Sequence, residues 1–202
     1  PSDCGRCSVC TGRLPGPGAQ PSAARIEAAR TFTRGQDVVI EPRKLWPSSA
    51  TRGAARGTTV ARRGKIVGSS NGRALAFADD PGWAEALLPL FTQPDRPAPA
   101  LVLDGVVEVL KRWRRTWGDR PVAVVPMPSA QHSQLIGSVA QHVAAVGRLP
   151  LVDALRLKGP LAEDDAASGT KVAALLDALE LRPGVKVPAG PLLLIDARLR
   201  SG

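Results

Sequence analysis

The chain has 202 residues, 44% of them hydrophobic, and a formal net charge of +9. That length holds one large domain or two small ones around a real core. With aromatics at 3% and no tyrosine, the core must be mostly Ala, Val, Leu and Ile. No apolar run approaches the roughly 18 residues a membrane-spanning helix needs, and the polar, cysteine-rich start does not read as a signal peptide.

The first motif in chain order is CGRCSVC, residues 4–10, with Cys4, Cys7 and Cys10 the only cysteines. An odd number of cysteines cannot form a closed set of disulfides. Their thiolates are soft ligands suited to zinc, and the two-residue spacing lets a tight turn, helped by Gly5, present successive sulfurs to one ion. A tetrahedral site takes four ligands. His132 and His142, the only histidines, lie in a distant segment, so the fourth ligand is expected upstream of Pro1. An iron–sulfur cluster on the same ligands, or three free cysteines, are the alternatives. Zinc thiolates imply a reducing, intracellular setting. The absence of Met at position 1 and the form of both ends lead us to expect a piece of a longer chain.

Residues 11–21 read as a Pro/Gly linker. Ser22 is positioned to cap a helix over 22–34, with Ile26, Ala29 and Phe32 on one face and Gly35 ending it. DVVIEP (37–42) reads as a short or edge strand, because Pro42 cannot donate to a ladder. The charge excess follows. Residues 1–73 carry 13 Lys/Arg against four Asp/Glu, whereas 74–202 carry 14 of each. Between Glu41 and Asp79 there is no acid, yet there are eight bases: Arg43, Lys44, Arg52, Arg56, Arg62, Arg63, Lys65 and Arg73. Such an uncompensated run favours a polyanion, read here as a phosphate backbone; the alternative is a solvated Arg-rich loop. Loops around a strand near 65–68, then a strand or turn and a helix at 82–91, complete a basic α+β module, read as winged-helix-like.

A helix is expected from Ala98 to Gly118, with Leu103, Val106, Val107, Leu110, Trp113 and Trp117 along one side and Lys111, Arg112, Arg114 and Arg115 on the others. Interleaved Trp and Arg can stack on bases; the favoured reading makes the tryptophans core and the arginines a solvated face. Beyond it, strands at 121–129, 149–157 and 191–202 alternate with helices at 131–147, with Leu135, Ile136, Val139 and Val143 inward, and 167–181, with Val172, Leu175, Leu176 and Leu179 inward. Apolar strands alternating with helices argue an α/β fold with a doubly wound parallel sheet. The expected division is 1–20 (end of a zinc module and linker), 21–97 (basic module) and 98–202 (α/β domain).

CGRCSVC resembles the end of the tetracysteine zinc module of RecQ-type DNA helicases, which implies that Cys4, Cys7 and Cys10 are three of four zinc ligands. LLLID-ARLRSG (192–202) resembles the signature loop of the phosphoribosyltransferases. That likeness implies that Asp196 faces a ribose and that Arg198, Arg200, Ser201 and Gly202 surround a phosphate, with PMPS (126–129) opposite. Position 197 is Ala where that signature has a second acid, which speaks against transferase activity and for a retained scaffold. The order of parts, including EPRKLWP in the basic segment, is similar to one clade of bacterial RecQ-like helicases carrying a phosphoribosyltransferase-like domain. The resemblance implies an accessory region of an ATP-dependent 3′-to-5′ DNA helicase acting in repair or recombination. Its partners would be DNA, bound through the backbone, and the motor domains of the same parent chain, in a bacterial, nucleoid-associated cytoplasmic setting. ATP and Mg2+ would belong to the motor alone, since no GKT/GKS loop or DExH box occurs here. An active phosphoribosyltransferase and a zinc-stabilised protein-interaction module are the rival readings.

Overall fold

A computed structural model describes residues 4–12, 20–47, 64–77, 79–163 and 165–199. It is a mixed helix-and-strand structure. A single helical turn, α1 (Ser8–Thr11), carries the third cysteine. Helix α2 (Ala23–Arg34) begins where Ser22 accepts a hydrogen bond from the Arg25 amide, and Gly35 ends it. Its expected apolar face stays exposed, with Ile26 at 42% and Phe32 at 71%. Polar contacts hold α2 instead: Arg34 Nε donates to the Gly82 carbonyl at 2.8 Å, its guanidinium lies over Trp83, and Arg30 reaches Glu85 at 3.0 Å.

Strands β1 (Val38–Ile40) and β2 (Gly72–Ala74) pair antiparallel, Val38 opposite Ala74 and Ile40 opposite Gly72. Beyond them the pairing resumes at the Leu45–Lys65 bridge, with Trp46 N–H on the Gly64 carbonyl and Ile66 N–H on the Lys44 carbonyl. The strand expected near 65–68 is therefore only this bridge. Helix α3 (Ala84–Thr92) and helix α4 (Ala100–Trp113), continued by a 3-10 turn Arg114–Thr116, follow. Val102 and Val109 are the fully buried positions of α4, so the buried stripe is rotated from the one expected. Gly105 sets that rotation: a Cβ there would collide with the Trp83 ring.

Strand β3 (Ala123–Pro126) and strand β6 (Leu192–Ile195) lie parallel, Ala123 opposite Leu192 and Pro126 opposite Ile195. Helix α5 (Ser133–Gly147) crosses between β3 and a single parallel bridge, Val124 to Leu151. The expected doubly wound sheet is thus corrected, among the described residues, to one parallel pair with a one-residue third rung. The predicted strand 149–157 breaks at Val152, whose carbonyl accepts from Ala154 N–H in a tight turn. Its second half becomes β4 (Leu155–Leu157), which pairs antiparallel with β5 (Leu179–Leu181). Helix α6 (Ser168–Ala178) stops before β5, shorter than the predicted 167–181. Leu175 and Leu176, expected inward, are 40% and 41% exposed.

The core has two parts. Val124, Ile136, Ala140, Val143, Leu193 and Ile195 join α5 to the parallel strands. Trp83, Leu87, Leu90, Ala98, Val102 and Leu135 join α3, α4 and α5. Each buried large aliphatic contributes about 1.5–3 kcal/mol. The second cluster runs across position 97, so α3 packs with the α/β part. Only one face of β6 is covered: Leu193 and Ile195 are buried while Leu192 and Leu194 are exposed.

Candidate metal centre and basic surface

Cys4, Cys7 and Cys10 converge. Gly5 at φ +65°, a conformation that disfavours side chains, folds the chain back so that Cys4 meets the first turn of α1. Cys7 caps that turn and Cys10 lies one turn on, so both face the same side. Their sulfurs are 3.3 Å apart, and Cys4 Sγ is 3.7 Å from Cys10 Sγ. All three ligand atoms lie within 4.8 Å of one another, and the group could hold a metal ion. A tetrahedral zinc with sulfurs at about 2.3 Å requires S···S edges of about 3.8 Å, close to this spacing. Hydrogen bonding from the Arg6 backbone amide, then from that of Cys7, lowers the Cys4 thiol to about 7, which favours the thiolate a metal needs. Neither histidine belongs to the cluster: His132 packs edge-on against Phe91 at 5.4 Å.

Of the eight expected phosphate-binding bases, Arg43, Lys44 and Lys65 are exposed on the paired segments flanking residues 48–63. Arg52, Arg56, Arg62 and Arg63 lie outside the described residues. Arg73 is placed differently. Its Nε contacts Asp37 at 3.1 Å with a side chain only 14% exposed, and its guanidinium lies over Trp113. Arg112 Nε contacts the same Asp37 at 2.9 Å. The Asp37 carboxylate thus ties β2 to α4, and Arg73 faces inward to it. Asp37 was not singled out from the sequence, because its two partners are 36 and 75 residues away.

Asp196 follows β6 directly, and its Oδ1 accepts from the Ala197 amide at 2.7 Å. Asp196 and Arg198 line a cleft of about 730 Å³ whose floor is largely apolar; Arg198 also lies over Phe91. Arg200, Ser201 and Gly202 lie outside the described residues. Because β3 and β6 are parallel, PMPS and Asp196 emerge at the same sheet end, where Met127 N–H donates to the Ile195 carbonyl. The α5 N-terminus at that end is an anion site by its geometry, and a carboxylate of this chain occupies it. Asp95 Oδ2 accepts from the Gln134 amide at 2.7 Å and from the Ser133 hydroxyl, and Oδ1 accepts from the Leu135 amide at 3.2 Å. Burial pushes the Asp95 carboxyl up, but these hydrogen bonds, with His132 nearby, outweigh it and hold it below the usual carboxylate range.

Among the described residues no helix is long and apolar enough to cross a membrane. Comparison with protein families, curated proteins and solved structures gives no match.

Proposed function

We propose that this chain is the C-terminal accessory region of a RecQ-like 3′-to-5′ DNA helicase, in which a zinc-bound knuckle anchors a basic module that holds DNA by its phosphates. The observation that carries it is the convergence of three sulfurs at distances a tetrahedral zinc accepts, in a chain whose residues between Glu41 and Asp79 hold eight bases and no acid. Zinc bound there would supply a rigid cross-link in place of a hydrophobic core; Cys4, Cys7 and Cys10 would hold it with a fourth ligand from outside this sequence. Helix α2 and the β1–β2 hairpin form the winged-helix-like part, with Arg43, Lys44 and Lys65 leading into and out of Arg52, Arg56, Arg62 and Arg63. Contacts of this kind fix position and carry no base information, so recognition is sequence-independent.

The α/β part is a phosphoribosyltransferase-like scaffold without transferase chemistry. Two features favour a silent site: Ala197 stands where a ribose-binding acid would be, and Asp95 already fills the α5 N-terminus. The experiment is fluorescence anisotropy of a labelled duplex with the intact zinc-loaded chain and with Arg62→Glu/Arg63→Glu. A ten-fold or greater loss of affinity supports the reading. Unchanged affinity sinks it and leaves the zinc-stabilised protein-interaction module.

A further inference from the structure

A second basic run follows the acid-free one in the sequence. Residues 111–120, KRWRRTWGDR, hold five cations and one acid, Asp119. A 3-10 turn, Arg114–Thr116, continues the end of α4. Lys111, Arg114, Arg115, Trp117 and Arg120 line one groove of about 660 Å³, floored by Leu110, Val143 and other apolar residues. No acid lines it.

Two of these arginines are uncommitted. Arg114 and Arg115 are exposed, and neither pairs with an acid among the described residues. Lys111 contacts Glu108, and Arg120 donates to the Gly147 carbonyl at 2.6 Å. Trp117 is half-buried, held edge-on at 5.5 Å against Trp113. It is neither sealed in the core nor free in solvent. The end of α4 adds a partial negative charge of about half a unit, which four cations around the groove exceed.

We infer that this groove binds single-stranded nucleic acid, one base stacking on Trp117 while adjacent phosphates meet Arg114 and Arg115. A fixed aromatic beside flexible guanidinium groups is the pairing that single strands use: every base has a stacking face, and the backbone needs only positive charge. A duplex offers phosphates but no free base face, so the groove discriminates between the two. The inference deepens the DNA-binding reading, yet it uses residues other than Arg62 and Arg63 and stands or falls independently of them.

The test is binding of a labelled oligothymidylate to the intact chain, with photocrosslinking of a 5-iodouracil oligonucleotide. Arg114→Ala/Arg115→Ala should weaken binding about ten-fold or more and reduce the salt slope by about 1.4, the share of two phosphates on a single strand. Trp117→Leu should weaken it about ten-fold, and Trp117→Phe should restore most of the loss by keeping a stacking face. The crosslink should map to the peptide containing Trp117. Unchanged affinity and slope in Arg114→Ala/Arg115→Ala, which alters only surface side chains, would overturn the inference. So would inorganic polyphosphate competing equally well while Trp117→Leu has no effect, since that describes a charge patch without a base site. Loss of all binding in Arg62→Glu/Arg63→Glu with none in Arg114→Ala/Arg115→Ala removes this site and leaves the proposed function. The reverse pattern removes the proposed function and leaves this site.

Discussion

The Asp95 carboxylate accepts from the amides of Gln134 and Leu135, 39 and 40 residues along the chain. It caps α5 from outside, where the local His132 makes no side-chain capping bond. Asp95→Ala should cost about 0.5–2 kcal/mol, the range of a lost helix cap, measured by urea denaturation. The pH dependence has a definite sign. The folded carboxyl lies below its ordinary value of about 3.9, so its contribution is present above that pH and is lost as pH falls through the folded value. Melting temperature should therefore drop on acidification below about pH 4 by more in the parent chain than in Asp95→Asn; equal drops would contradict the cap. Asp37 is the second such residue. Removing it leaves Arg73 and Arg112 facing each other in a half-buried site. Asp37→Ala should cost about 1–3 kcal/mol by denaturant unfolding, whereas removal of Glu85 from its exposed pair with Arg30 should change stability by less than about 1 kcal/mol.

Elements whose signals are local were legible from sequence. The Ser22 cap and Gly35 stop of α2 are short-range chemistry, and the inward Leu135, Ile136 and Val143 of α5 follow from period 3.6. The failures share one cause, which is tertiary pairing. LEL at 179–181 continues a helical run in sequence but alternates with period 2, and the cross-strand partner Arg156, opposite Glu180, draws it into β5. Leu151 and Leu155 sit in one apolar stretch yet pair with different strands, because the chain turns between Val152 and Ala154. The convergence of Cys4, Cys7 and Cys10 was readable, since cysteines within a seven-residue span can meet through a turn alone. The Arg73–Asp37–Arg112 link was not, because charge composition shows which groups exist and not which face inward. Gly105 marks the limit on α4: a glycine inside a helix usually has a packing reason, but its partner Trp83 is known only from the fold. Gly105→Ala should destabilise by about 1–3 kcal/mol through overpacking against Trp83, in contrast to the usual gain from replacing a helical glycine. Unfolding of the two proteins by denaturant decides the sign.

For the molecule as a whole, positive charge lies toward the first third and the packed core toward the rest. Between Glu41 and Asp79 the sequence holds eight bases and no acid, Arg73 among them pairing with Asp37, while the clusters around Ile136 and Trp83 lie in the near-neutral remainder. The sulfur cluster is nearly solvent-exposed and, among the described residues, no buried side chain belongs to its helix. In a parent chain that supplies the fourth ligand, Cys7→Ser should lower bound zinc to background by elemental analysis and weaken DNA binding, while the α/β part keeps its melting transition. The measurement that bears most directly on the account is the affinity of the zinc-loaded chain for duplex DNA across a salt series. If five phosphates are neutralised, log affinity should fall against log salt with a slope of about −4 to −5. A slope near zero would contradict the central claim that this chain holds DNA through its phosphates.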